Sequence, residues 1–210
     1  MRDLDRRRAG RPPGASPRPG AHGGPGGSLA GSLLVAMPGM GDPRFERAVI
    51  FLCAHSDDGA MGLVVNKPSE DVGFADLAKQ LEIPRGPASR EIAVHVGGPV
   101  EHGRGFVLHS ADWDSGDSTL RVGGRFGMTG TLDVLQELAA GRGPRDALLA
   151  LGYAGWGAGQ IEAEIAANGW LTAPASREIV WQVPDGRKWG AALSALGVDP
   201  VGLSAAAGRA

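Results

Sequence analysis

A single cysteine among 210 residues leaves this chain no internal disulfide and no four-cysteine zinc site. Its fold must rest on an ordinary apolar core, and a reducing, cytoplasmic compartment fits best. The longest apolar run, residues 48–54, is seven residues long, whereas about 20 are needed to span a bilayer, so no membrane segment is expected. There is no surplus of one charge either. With 21 Lys+Arg against 23 Asp+Glu, the chain is too balanced to coat nucleic acid or anionic lipid by charge alone. The phosphate loop, the dinucleotide fingerprint, the H-E-x-x-H zinc pattern and the G-x-S-x-G nucleophile elbow are all missing. The large enzyme classes with local signatures lose support, and no cofactor and no metal are expected.

What is abundant is glycine, 35 residues, with 15 prolines. Residues 1–31 hold six Arg against two Asp, a balance of +4, and the remainder of the chain is at −6. That segment is rich in Gly and Pro and has few large apolar groups, too few to offset the entropy of ordering. The basic run Arg6-Arg7-Arg8 lacks the apolar stretch an export signal needs. Residues 1–28 are therefore read as a disordered, dispensable tail or as translation assigned from too early a start, residues 29–198 as one domain, and residues 199–210 as a flexible C-terminal tail.

Apolar patterning predicts a buried strand at 33–37 and a central one at 47–55, apolar on both faces. Ser56-Asp57-Asp58-Gly59 is a hairpin turn, returning antiparallel over 60–66. Further strands are expected at 92–96, 105–109, 120–122, 147–153 and 178–183, and helices at 74–81, 131–140, 160–167 and 187–196. Strands come in succession early and alternate with helices late, which is α+β or a mixed sheet rather than a regular βαβ series.

Cys53 and His55 are the sharpest candidates for chemistry. Two apart on a strand, they should share a face about 6.5 Å apart, where an imidazole could lower the thiol pKa. The competing reading is an inert core thiol. His95, His102 and His109 show no compact ligand spacing, so hydrogen-bonded structural histidines are expected. The polar residues beside the Gly/Pro turns, Asp42, Asn66, Lys67, His109, Trp156 and Gln160, are read as one candidate binding patch, with demanding turn geometry as the alternative.

Several blocks in order carry a resemblance. They are the run from Gly31 through Met37-Pro38-Gly39-Met40-Gly41-Asp42-Pro43 to Asn66-Lys67-Pro68, then Gly97-Gly98-Pro99-Val100, Gly105 to Ser110, and Gly152-Tyr153-Ala154-Gly155-Trp156-Gly157-Ala158-Gly159-Gln160 with Glu162, Glu164, Asn168 and Trp170. From about Leu29 to Val198 the chain resembles the bacterial YqgE/AlgH family. The resemblance implies a single α+β domain in which a bifurcated mixed sheet curls into a pseudo-barrel with flanking helices. It supplies no catalytic residues. Some members carry a transcriptional-regulator label, which the acidic core and the lack of a basic helix-turn-helix do not support. Gly169, where a larger residue is commoner, should loosen the preceding helix. The leading expectation is a cytoplasmic, non-enzymatic binding or regulatory protein with a protein or small-molecule partner, and with neither nucleic acid nor membrane as partner of the core. The alternative is a thiol-dependent enzyme or redox sensor using Cys53 and His55. A DNA-binding regulator using the Arg-rich tail is the third.

Overall fold

Both faces of the early strands are apolar, and both are buried. β1 (Ser32–Ala36), β2 (Val49–Ser56) and β3 (Gly59–Val64) form an antiparallel meander whose residues Leu33 to Ala36 and Val49 to Leu52 are inaccessible to solvent. Each fully buried aliphatic side chain there contributes about 1.5–3 kcal/mol. The computed structural model describes residues 27–199 and 203. The expected tails therefore lie outside the described residues, apart from Gly27, Ser28, Asp199 and Leu203.

The chain continues through α1 (Phe74–Gln80), β4 (Ala93–Val96), β5 (Val100–Ser110), β6 (Thr119–Val122), β7 (Phe126–Thr129), α2 (Leu132–Ala139), β8 (Ala147–Gly157), α3 (Gln160–Ala166), β9 (Trp170–Pro174), a π-helical turn (Glu178–Gln182) and α4 (Asp185–Ser194). The strand order is β6-β7-β5-β8-β3-β2-β1-β9, with β4 pairing off this path with β8. β8 explains the fork. Antiparallel β5 lines one edge, while the other is divided between β4, parallel to residues 148–151, and β3, antiparallel to residues 154–157. The division falls at Gly152, whose φ of +73° kinks the strand. The sheet is thus mixed, bifurcated and curled, with helices on it, and the expected α+β single domain is what forms.

Three cores follow. The interior of the curl holds Phe51, Leu63, Phe106, Leu108 and Phe126 and is closed by Val180, Trp189 and Leu193 from the π-turn and α4. A second, with Leu34, Ile50, Leu52, Trp156 and Trp170, is covered by Ile161 of α3. α1 and α2 seal the third against Val94, Val107 and Leu149.

Four expectations need correction. Residues 178–183 are not a strand: Ile179 and Val180, adjacent in sequence, both enter the same core, which a helical turn permits and a pleat does not. β7 and β9, absent from the expected strands, form at Phe126–Thr129 and Trp170–Pro174, and β9 pairs along the whole of β1. β8 runs to Gly157, four residues past the expected end, because the Gly-dense stretch is itself paired with β3. Finally, Gly169 closes α3 rather than loosening it. Its N–H donates to the Glu164 carbonyl at 2.8 Å and the Asn168 N–H donates to that of Ile165 at 3.0 Å, with Asn168 left-handed at φ +59°. That is a Schellman ending with Asn in the left-handed position.

Candidate functional site

Cys53 and His55 do not share a face. β2 carries a bulge: Leu52 pairs with Gly62 and Ala54 with Met61, so Cys53 is an extra residue in the ladder and the alternation reverses after it. Cys53 points into the interior core, whereas His55 pairs with Ala60 of the second core and reaches α3, where its Nε2–H donates to Glu162 Oε1 at 2.6 Å. His55 Nδ1 accepts the Leu29 N–H at 3.1 Å. The ring is fully engaged in pinning the start of β1 to α3. Cys53 is 2% exposed, and burial pushes its thiol well above the usual range. A protonated, buried thiol is a poor nucleophile.

The six residues of the expected patch do not converge. His109 pairs with Ala147 and Trp156 with Ala60, so they stand at opposite ends of β8, roughly 30 Å apart along the strand. His109 is inaccessible, with Nδ1 on the Ser110 carbonyl and Nε2 on Thr129 Oγ1, and burial pushes its pKa down. Asn66 bridges backbone only, accepting from Val49 N–H at 2.7 Å and donating to the Arg47 carbonyl at 2.9 Å. Asp42 caps the 3-10 turn Pro43–Phe45 and pairs with Arg44, whose hydrogen bonds hold its carboxyl below the usual range. Lys67 is half-buried, and its carbonyl accepts the Val96 N–H. Trp156 and Gln160 do meet, through Glu164. These are the demands of turns and packing.

The structure assembles a different cluster. β4 places Val94 in the third core, so alternation turns His95 the other way, onto the face where α4 begins. Asp185 is the first residue of α4 and Lys188 follows one turn later on the same side. The buried His95 ring donates from Nε2 to Asp185 Oδ1 at 3.1 Å, and the same oxygen lies 2.8 Å from Lys188 Nζ. Lys188 is only 3% exposed and also donates to the Val65 carbonyl at 2.7 Å. Lysine is almost never so buried unless paired, and here one carboxylate and one carbonyl hold it. One sequence signal was available: Lys188 falls within the apolar stripe of Trp189, Ala192 and Leu193, where an exposed cation does not belong.

This triad edges an open cleft of about 380 Å³, also lined by Arg90, Arg145, Asp146 and Trp181, with a second recess of about 260 Å³ beside it. Among the described residues three buried side-chain nitrogens have no hydrogen-bond partner: Arg90 Nε, His95 Nδ1 and Trp181 Nε1. All three belong to residues lining the larger cleft. Buried polar atoms are ordinarily paired, so these three are exceptions, each out of reach of solvent on a residue that lines the cleft. No group of His, Cys, Asp and Glu among the described residues could hold a metal ion.

Partial burial pushes the Asp185 carboxyl up, but the hydrogen bonds from His95 and Lys188 outweigh it and hold the pKa at about 2, against 3.8 ordinarily. A carboxylate lowered on folding stabilises the native state above its unfolded pKa and loses that contribution as pH falls through the folded one. Between about pH 4 and about pH 2 the chain should therefore lose up to about 2 kcal/mol that an Asp185→Asn variant does not. Urea denaturation at stepped pH measures this, and parallel acid limbs would remove Asp185 from the account.

A family model described as AlgH-like matches residues 33–201. A UPF0301 protein of Cereibacter sphaeroides is 59% identical over 182 residues, covering 87% of this chain and 99% of the relative. A UPF0301 protein of Rhodospirillum rubrum is 50% identical over 184 residues, covering 88% and 95%. Among solved structures, the solution structure of the AlgH protein from Pseudomonas aeruginosa superposes with a TM-score of 0.71 at 41% identity, over 90% of this chain and 98% of that one. A crystal structure of a Corynebacterium diphtheriae protein gives 0.64 at 25% identity, over 88% and 93%.

Proposed function

The chain belongs to the AlgH-like family, and from that premise we propose that it is a cytoplasmic, non-enzymatic binding protein that takes a small molecule in the cleft between β4, the start of β8 and the π-turn. The observation that carries this reading is the cavity itself, edged by the buried His95–Asp185–Lys188 cluster with Arg90, Arg145 and Trp181 in its lining. Its volume lies at the lower end of the range typical of small-molecule sites. The thiol reading draws no support, because Cys53 is sealed and its histidine neighbour faces the other core. The lone cysteine supports the cytoplasmic placement, and among the described residues no helix is long and apolar enough to cross a membrane.

The test uses the full chain, labelled with ¹⁵N, and mixtures of small acids, amides, nucleosides and sugars. The indole N–H signal of Trp181, assigned by its loss in Trp181→Phe, should move with at least one compound, and that compound should raise the thermal midpoint. If no mixture moves this signal, the cleft is not a binding site. In the same sample Cys53 should resist alkylation until denaturant is added; rapid labelling of the native chain would return the thiol reading.

A further inference from the structure

His109 of β5, Thr129 of β7 and Thr119 of β6 are all buried, and together they form a hydrogen-bond relay with a fixed direction. His109 Nδ1 lies 2.9 Å from the Ser110 carbonyl, which can only accept, so Nδ1 carries a proton. Burial pushes the His109 pKa below its ordinary 6.5, against the opposing pull of the Ser110 carbonyl, Asp112 and Asp114, so the ring is neutral at pH 7. Nε2 is then an acceptor, and the Thr129 hydroxyl donates to it at 3.0 Å. Thr129 Oγ1 in turn accepts from the Thr119 hydroxyl at 2.8 Å, and Thr119 Oγ1 accepts the Ser115 N–H at 2.8 Å. Side chains thus stitch β5, β7 and β6 together with neither threonine hydroxyl left unpaired.

A proton on Nε2 makes that nitrogen a donor and reverses the relay. Thr129 must then accept from the ring and donate to Thr119, whose own hydroxyl is left without an acceptor, since Ser115 offers it only an N–H. An imidazolium is buried at the same time, and no carboxylate hydrogen-bonds to it. The nearest charges, Asp112 and Asp114 in the turn after β5, are engaged by Ser110 and Arg145 and by Arg121. At the far end, Ser115 donates to Asp133 at the start of α2. The residues paired with His109 on β7 and β8, Gly127 and Ala147, are uncharged, and Trp113 stands edge to face with the ring at 5.3 Å.

We propose that this relay is an acid-sensitive clasp: when His109 gains a proton, the β6–β7 hairpin is released from β5 while the early strands stay closed. The hairpin is the part that can yield. β6 ends the strand order, and β7 is joined to the rest of the sheet by four residue pairs, Val107 to Ser110 with Phe126 to Thr129. The ring also lies directly on the β7 backbone, where a Cβ at Gly127 would come within 2.4 Å of His109 Cε1. The hairpin carries Phe126, which lines the recess beside the cleft, so the clasp governs that wall whether or not a ligand binds. The sign follows from proton linkage: a released ring takes up its proton at a higher pH than the buried one, so the open form gains as pH falls below 6.5.

Amide hydrogen exchange of the ¹⁵N-labelled full chain at pH 7 and pH 5 tests this, with rates converted to protection factors so that the chemical pH dependence of exchange cancels. Protection of the paired amides in β6 and β7 should fall at least about tenfold at pH 5, while that of β2 stays level. Asp112 and Asp114 do not titrate in this window. Burial pushes Asp112 up, but hydrogen bonds from Ser110 and Arg145 hold it below 3.8, and Arg121 does the same for Asp114. His109→Gln, which cannot take up a proton, should abolish the change. The comparison of β6 and β7 with β2 is made on the unaltered chain, so it stands whether or not that variant folds. Equal protection of the hairpin at the two pH values, or an equal fall in β2, would overturn the clasp. So would a tenfold fall that persists in a folded His109→Gln protein.

Discussion

Replacing Glu164 by Ala should cost about 3–5 kcal/mol of folding stability, an exceptional loss for a half-exposed carboxylate. Glu164 Oε2 accepts the indole N–H of Trp156 at 3.0 Å and that of Trp170 at 2.8 Å, while Oε1 accepts the Gln160 amide at 2.8 Å. Trp170 is 2% exposed and Trp156 7%, so each indole N–H left without the carboxylate is a poorly hydrated donor, which costs about 1–3 kcal/mol. The two indoles stand edge to face at 6.1 Å, and Phe45 packs edge-on against Trp170 at 5.6 Å. Losing the carboxylate therefore loosens β8, α3, β9 and the 3-10 turn together. Glu164→Gln keeps one acceptor oxygen, enough for the indole pair, and should lose only about 1 kcal/mol, mainly the charge assistance. Urea denaturation followed by tryptophan fluorescence measures both. An Ala variant within about 0.5 kcal/mol of the parent would mean that the indoles find other partners and that Glu164 is not the keystone of the second core.

Gly98→Ala should be at least as damaging, about 4 kcal/mol or more, or should prevent folding outright. A Cβ on Gly98 would sit 2.1 Å from the Tyr153 carbonyl carbon, 2.3 Å from its oxygen and 2.4 Å from the Ala154 nitrogen, all of them backbone. That backbone cannot step aside. The Gly97 N–H donates to the Leu151 carbonyl at 2.8 Å and the Gly97 carbonyl accepts from Val64 at 2.9 Å, which ties the crossing to both arms of the fork. Gly103→Ala is the control, since a Cβ there meets nothing within 4 Å. Its stability should stay within about 0.5 kcal/mol of the parent. Equal midpoints for the two variants would show that β8 can flex at Gly152 and that the fork does not depend on this close approach.

Much of the fold was legible because its signals are local. Unbroken apolar runs between turn signals marked β1 to β3 and their hairpin, and helical spacing of Phe74, Leu77, Ala78 and Leu81 and of Leu132, Leu135, Leu138 and Ala139 marked α1 and α2. Elements whose form depends on what they meet were not. Residues 178–182 have strand-like composition, yet they must bury two adjacent side chains in the mouth of the curl. β9 reads as nothing in particular until β1 offers it an edge.

The candidate site was far less legible. Cys53 and His55 sit two apart, a spacing that means one face only if the ladder is unbroken, and one bulge reversed it. The acids and amides around Trp156 proved to be parts of a packing device. His95 lies some ninety residues before Asp185 and Lys188, which are one helical turn apart, and no local pattern links it to them.

By itself the sequence determined a disulfide-free α+β domain with strands buried on both faces, because hydrophobic periodicity and turn chemistry act over a few residues. Tertiary structure alone decided which side chains share a cavity, which thiol is sealed and which nitrogens lack partners. Those depend on distances across the sheet, and β8, forked at Gly152, sets them by bringing β4, β5 and β3 to one strand.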